Sequence, residues 1–297
     1  MIFDGNPTVV GHRGFGAGEP GGYPENTIRS YLAAAAHGLS WIELDVQRSL
    51  DGHLVIRHDP VTPDGDFVVT RSADELAGAG IIRLDDVLAE LPPDVAVDID
   101  VKTIMEDAVA PAGRRTAALI ADALRRQAGQ RRLLVSSFDP ALLLYLKDQR
   151  VQDPSLAGVP LGLITGVNFP AGHGIPAAAN LGMDAICVHT GTFGLHGEFG
   201  THGEFGTHGA FVTPGAFGTH GERPRPGDRT IEEAIGTAHR AGLEVLAWAP
   251  GPADALRLAS AGADALCVDD VPGVLHALAG QKHESPSDFR WAGDLAR

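Results

Sequence analysis

The chain lacks most of what would place it outside the cell, in a membrane or on nucleic acid. Its 297 residues contain two cysteines, Cys187 and Cys267, each inside an apolar run of strand character, ICVH and LCVD. That leaves no disulfide framework and reads as two buried thiols. No apolar run approaches the ~18 residues of a membrane span. The opening residues, MIFDGNPTVVGHRG, have no basic segment followed by an apolar one, so no secretory signal is expected and the simplest placement is cytoplasmic. Basic residues are outnumbered, 23 against 38, for a formal charge of −15. An acidic balance disfavours nucleic acid and anionic membrane surfaces as partners. A small phosphate-bearing ligand stays open, because a few local cations override a distant field.

What is present is enough apolar material for a full-sized core, 44% of the residues. The length suits one large α/β barrel or two smaller domains. Apolar runs of strand character occur at 8–12, 41–47, 95–102, 133–137, 160–165, 184–189, 243–248 and 264–268. Stretches of helical spacing alternate with them: 26–37, 84–91, 112–128, 139–150, 177–181, 231–241, 253–261 and 271–279. Eight strands alternating with helices predict a TIM (β/α)8 barrel, a single domain over 1–280, with a polar tail over 281–297. A short strand at 54–58 returns through an Asp51-Gly52 turn towards the second strand. Residues 60–83 read as an irregular insert.

After the sixth strand the sequence repeats: FGLHGE, FGTHGE, FGTHGA, FVTPGA and FGTHGE fill 193–222. A hexapeptide β-helix needs about 18 residues per coil, so this tract is too short for a stable stack. Four histidines recur at a spacing that matches neither helix nor strand, so no common ligand face is expected. A flexible glycine- and histidine-rich insert over 190–228 is therefore expected, emerging on the face where strands end and able to act as a lid.

The chemistry concentrates in residues 9–60. In the second strand Trp41, Glu43, Asp45 and Gln47 share one face while Ile42, Leu44 and Val46 share the other. The apolar face suits packing against helices, which turns two carboxylates inward, where they are costly unless compensated. The run VAVDIDVK repeats the pattern, with Asp98, Asp100 and Lys102 on one face. Glu43, Asp45 and either Asp98 or Asp100 would make an all-oxygen shell, which suits Mg²⁺ or Ca²⁺ better than zinc. His12 and His58 are then free for proton transfer.

The ordered set HRG (His12–Gly14), PENT (Pro24–Thr27), E-x-D (Glu43, Asp45), HD (His58, Asp59), D-x-K (Asp100, Lys102) and SF (Ser137, Phe138), with a late strand ending in Trp248, resembles the glycerophosphodiester phosphodiesterase family. The resemblance runs over roughly 8–279, apart from the repeat. It implies a TIM barrel that hydrolyses glycerophosphodiesters to sn-glycerol 3-phosphate and an alcohol with a divalent cation. It further implies His12 and His58 as the acid–base pair, and Glu43, Asp45 and Asp100 as metal ligands. Arg13 and Lys102 would hold the phosphate, and Trp248 would line the pocket. The family usually carries glutamate where this chain has Asp100, and polar residues where it has Ala249-Pro250-Gly251. Two rival readings are a barrel that binds phosphodiesters without turnover and a phospholipase-type enzyme acting through a cyclic phosphate.

Overall fold

The computed structural model describes residues 1–104, 109–127, 129–167, 169–195 and 230–281. Among the described residues nine strands form one sheet: β1 (Thr8–Gly11), β2 (Trp41–Arg48), β3 (Leu54–Ile56), β4 (Ala96–Val101), β5 (Leu133–Ser137), β6 (Leu161–Ile164), β7 (Ala185–His189), β8 (Glu244–Trp248) and β9 (Ala265–Val268). The order is β1-β9-β8-β7-β6-β5-β4-β2, and β2 pairs back onto β1 with Val10 opposite Trp41, which closes the ring. Every pairing in the ring is parallel. Only β3 is antiparallel, folded against β2 with Val46 opposite Ile56. Helices α1 (Ile28–Ala36), α2 (Ala73–Gly78), α3 (Leu84–Glu90), α4 (Thr116–Gln127), α5 (Pro140–Gln152), α6 (Ala171–Leu181), α7 (Ile231–Arg240), α8 (Pro252–Ser260) and α9 (Val271–Gln281) complete the (β/α)8 barrel.

The period-two pattern resolves as a two-sided wall. Ile42, Leu44, Val46, Val97, Ile99 and Val101 join the helices in the main apolar cluster. The opposite face points into the ring. There Val10, Trp41, Ala96, Leu134, Cys187, Leu246 and Cys267 pack in a second cluster that fills the barrel's lower half. Phe3 plugs the floor, its ring centroid 5.2 Å from that of Trp41. Above this apolar floor the inward residues of β2 and β4 turn acidic, so the upper half of the barrel cannot be filled by packing alone. Cys187 and Cys267 are both buried free thiols, as expected from their apolar runs.

Three elements depart from the sequence reading. Residues 60–83 are not wholly irregular: a 3-10 turn, Val68–Thr70, leads into α2. A capping box of Ser72 and Glu75 starts that helix, and Val55, Val68, Ala73, Leu76 and Ile81 form a small core of their own. The helix before β7 begins at Ala171 and carries Pro176 inside it, so the proline interrupts the pattern without ending the helix. The helix expected over 112–128 begins as a 3-10 turn, Ala112–Arg114, before α4. Of the insert expected over 190–228, residues 190–195 are described, with a short 3-10 turn at Thr190–Phe193; the rest of it lies outside the described residues, as does the polar tail beyond 281. Among the described residues no helix is long and apolar enough to cross a membrane.

Candidate active site

The site is built where β1, β2, β4 and β9 end. Beyond Gly11 the chain stays in register for one more residue: His12 N–H donates to Val268 O at 3.1 Å. Arg13 then takes φ 51° and Asn26 takes φ 54°, two of the three non-glycine residues with positive φ among those described. Such backbone costs of order 1–3 kcal/mol per residue and survives where surroundings enforce it. Here they do. The Arg13 N–H turns into the barrel and donates to Glu43 Oε2 at 2.8 Å, while Asn26 N–H donates to Arg13 O at 3.0 Å. Asn26 Nδ2 donates to Asp45 Oδ2 at 2.8 Å, and its Oδ1 accepts from Tyr31 OH at 2.9 Å. Thr27 caps α1, its side chain accepting from the Ser30 N–H.

Glu43, Asp45 and Asp100 converge: each offers a carboxylate oxygen, and these oxygens lie within 4.8 Å of one another. Lys102 Nζ lies 3.0 Å from Asp45 Oδ1 and bonds closely to Asp100 Oδ2. The Arg13 guanidinium sits 3.3 Å from Asp45 Oδ2 and donates to Glu25 Oε1 at 2.8 Å. Two cations therefore face a larger set of inward carboxyls. Asp98, in register with Glu43 and two residues before Asp100, accepts from Ser136 Oγ at 2.7 Å. Buried Glu43 Oε1 and Asp100 Oδ1 are left without a hydrogen-bond partner, and Asp45 Oδ1 faces only the Lys102 ammonium. Unpaired carboxylate oxygens at this depth carry a penalty of several kcal/mol. With carboxylate oxygens converging from Glu43, Asp45 and Asp100, the cluster fits a hard divalent cation.

The electrostatics follow from this shortage of positive charge. Burial, then the charges of Asp45 and Asp100, push the Glu43 carboxyl well above its usual range. Burial also raises Asp100, although Lys102 opposes it. Asp98 is pushed up to about 8, chiefly by burial against the pull of its Ser136 bond. Asp45 goes the other way. Burial alone would raise it, but Lys102 and Arg13 together hold it far below the ordinary carboxylate range.

The histidines flank this cluster. His12 Nδ1 lies 2.6 Å from Asp269 Oδ1, and its Nε2 lies 3.9 Å from Glu43 Oε2. Burial opposes ionisation of Asp269, but the His12 charge and hydrogen bond hold its carboxyl down to about 2. The return strand, expected over 54–58, pairs back onto β2 but ends at Ile56, and His58 lies two residues beyond it. Arg57 N–H donates to Asp45 O at 3.0 Å, and Gln47 Nε2 donates to the carbonyls of Arg57, His58 and Asp59 at 2.9, 3.1 and 2.7 Å. One glutamine amide thus holds the whole turn. His58 Nδ1 meets Asp59 Oδ1 at 2.9 Å, and burial lowers its pKa despite Asp45 nearby.

His12, Arg13, Glu43, Asp45, Asp100 and Lys102 form one connected network, with His58 held beside it. Trp248 stands three strands round the ring from β2, its ring 4.4 Å from that of His189. Its indole Nε1 is buried without a hydrogen-bond partner, and Ala249 after it has φ 59°. The sequence reading passed over Asp269, Gln47 as the clamp of the His58 turn, and His189. Asp269 and His189 shared one weak signal: each is a polar residue at the carboxyl end of an apolar strand, the edge where ligands bind in parallel barrels.

A sequence profile of the glycerophosphoryl diester phosphodiesterase family matches residues 12–157, about half of the chain. The chain belongs to that family. A probable glycerophosphodiester phosphodiesterase 2 of Mycobacterium tuberculosis is 34% identical over 108 residues, 33% of this chain and 39% of that protein. A glycerophosphodiester phosphodiesterase of Caldanaerobacter subterraneus is 47% identical over 51 residues, 17% of this chain and 19% of the relative. The matched stretches thus span well under half of these relatives. Whole-fold similarity reaches further. A glycerophosphodiester phosphodiesterase structure from Galdieria sulphuraria aligns with TM-score 0.67 at 20% identity, covering 92% of this chain and 98% of that one. A phosphodiesterase from Oleispira antarctica, solved with sn-glycerol-3-phosphate, aligns with TM-score 0.64 at 21% identity, covering 92% and 97%. The family match takes in both site histidines, the three converging carboxylates, Arg13 and Lys102. Trp248, His189 and Asp269 lie beyond it.

Proposed function

We propose that the protein is a metal-dependent phosphodiesterase that hydrolyses glycerophosphodiesters to sn-glycerol 3-phosphate and an alcohol. The observation that carries this is the convergence of carboxylate oxygens from Glu43, Asp45 and Asp100, close to two imidazoles that each contact a further carboxylate. Those three carboxylates would hold Mg²⁺ or Ca²⁺. When bound, such a cation supplies Lewis-acid polarisation of a phosphoryl oxygen.

The side chains do the rest. Lys102 and Arg13, already drawn to this cluster by Asp45, present fixed positive charge to a phosphate entering the mouth. Their positions are set before substrate arrives, so little reorganisation is needed. One histidine removes a proton from the attacking water or substrate hydroxyl, and the other delivers one to the departing alcohol. Imidazoles suit the division because their ordinary pKa lies near neutrality. Trp248 and the β8 end would contact the organic part of the substrate. The reading takes 1–280 as one domain and places it in the cytoplasm, with a small-molecule substrate.

The test is direct. Purified protein is incubated with glycerophosphocholine and Mg²⁺ or Ca²⁺, and sn-glycerol 3-phosphate is followed. Release that depends on the cation, and that drops by about 10²–10⁴-fold in His12→Ala and in His58→Ala, is expected. No release with either cation across a panel of head groups overturns the assignment. Binding of the diester without turnover would instead mark a non-catalytic barrel, and a cyclic phosphate product a phospholipase-type reaction.

A further inference from the structure

The glycine-rich segment between Arg13 and Glu25 carries no group of the proposed reaction, yet two acidic side chains tie it to His12 and Arg13. Asp269 Oδ1 contacts His12 Nδ1 at 2.6 Å and also accepts the Ala17 N–H at 2.9 Å. Glu25 accepts from the Arg13 guanidinium through Oε1 at 2.8 Å, and through Oε2 it accepts closely from the Gly18 N–H. Glu25 N–H in turn donates to Gly18 O at 2.7 Å. Each carboxylate therefore spans one functional side chain and one loop amide. Adjacent loop amides, at 17 and 18, serve adjacent functional residues, 12 and 13.

The backbone makes this seating exclusive to glycine at one point. Gly16 has φ +130°, and a Cβ there would lie 2.0 Å from the backbone oxygen of Asp269. The loop thus lies directly on the β9 end that carries Asp269. Phe15 anchors the start of the segment in the core, and its N–H donates to Ser30 Oγ at 2.8 Å.

We infer that Asp269, seated by the 15–25 loop, is a positioning residue that fixes His12 with the proton on Nδ1 and Nε2 turned to the reacting centre. With Asp269 ionised, its Oδ1 is an acceptor only, so the proton between them belongs to His12 Nδ1. That leaves Nε2, on the Glu43 side, as the nitrogen that exchanges a proton with substrate. The second bond from Ala17 stops the carboxylate from turning away, so loop geometry sets the imidazole. Glu25 does the same for the direction of Arg13. This rests on His12 acting in acid–base chemistry as proposed above, but its structural half can be read without any substrate.

The experiment uses the whole chain labelled with ¹⁵N-histidine. Ring-nitrogen shifts and couplings report the His12 tautomer, assigned by comparison with His12→Ala. Wild-type protein is expected to show the Nδ1–H form. In Asp269→Ala and in Gly16→Ala the ring should move towards the Nε2–H form that free imidazole side chains favour. Turnover of glycerophosphocholine should fall by about 10²-fold in kcat in Asp269→Ala, with KM changed by less than about threefold. Gly16→Ala should fall less. Affinity for the divalent cation, measured by calorimetry, should stay within about threefold in both. Thermal melts confirm folding, and Gly16→Ala carries the test if Asp269→Ala does not fold. A wild-type Nε2–H form overturns the inference, as does a tautomer and kcat unchanged in both variants. A wild-type enzyme inactive on every diester, but with the Nδ1–H form lost in both variants, sinks the phosphodiesterase reading while the positioning device stands.

Discussion

Replacing Lys102 by methionine removes the ammonium that lies 3.0 Å from Asp45, bonds closely to Asp100 and sits 5.7 Å from the Phe138 ring centre, while keeping an unbranched apolar side chain. Arg13 stays 3.3 Å from Asp45, so Asp100 loses more than Asp45 does. Breaking a buried pair from one side leaves an uncompensated charge and costs about 3–5 kcal/mol. For a barrel of this size that lowers the melting temperature by roughly 6–20 °C. The same change vacates the cluster of its competing cation. A divalent ion present at about 100 times its Kd stabilises by about 2.7 kcal/mol, and each tenfold gain in affinity adds about 1.4 kcal/mol. Lys102→Met should therefore be destabilised in chelator and recover more than the wild type does when Mg²⁺ or Ca²⁺ is added. The assay is a pair of urea melts, with chelator and with saturating cation, on both proteins. If the ion stabilises neither protein, the carboxylates do not form a cation site; if it lifts the wild type as much as the variant, Lys102 does not compete with the ion; either result refutes the reasoning.

Two further outcomes follow from other parts of the molecule. His189 is held neutral by burial, its pKa lowered from 6.5 to about 4, with Nδ1 accepting the Gly191 N–H at 2.9 Å. Its contribution to stability is complete above pH 6.5 and is lost as pH falls towards 4, up to about 3 kcal/mol. Urea melts between pH 7 and 4 should fall more steeply for the wild type than for His189→Gln; equal slopes refute this. Trp41→Ala should cost about 3–5 kcal/mol through the cavity left at the barrel floor between Phe3 and Arg132, whose guanidinium carbon lies 5.4 Å from the indole centre. Because Trp41 lies below the polar layer, cation affinity at the mouth should change by less than about threefold in the folded variant, and a larger loss would show that floor and mouth are not independent.

The alternation in β2 and β4 was legible from the residues alone, because side-chain direction in a strand repeats every two residues whatever the partner. It placed Glu43, Asp45, Asp98 and Asp100 inward, and Ile42, Leu44, Val46, Val97 and Ile99 under the helices. Local punctuation was also readable: Asp51-Gly52 turned the chain so that β3 pairs back onto β2 and delivers His58. The choice between Asp98 and Asp100 was not. Both share a face, and only the folded barrel shows that Asp98, on the rung of Glu43, bonds to Ser136 while Asp100, on the rung of Asp45, converges with Glu43 and Asp45.

The α2 helix went unread although Ser72 and Glu75 carry its capping signal, because six residues give too little periodicity to stand out. The pairing of His12 with Asp269 spans 257 residues of sequence, and the packing of His189 on Trp248 depends on two strands meeting in parallel. No local propensity encodes either. By itself, then, the sequence determined which residues turn inward and where strands give way to loops, since those follow from backbone geometry within a few residues. Closure of β9 and β2 onto β1 decided which inward residues meet, because that contact exists only once the whole ring is formed.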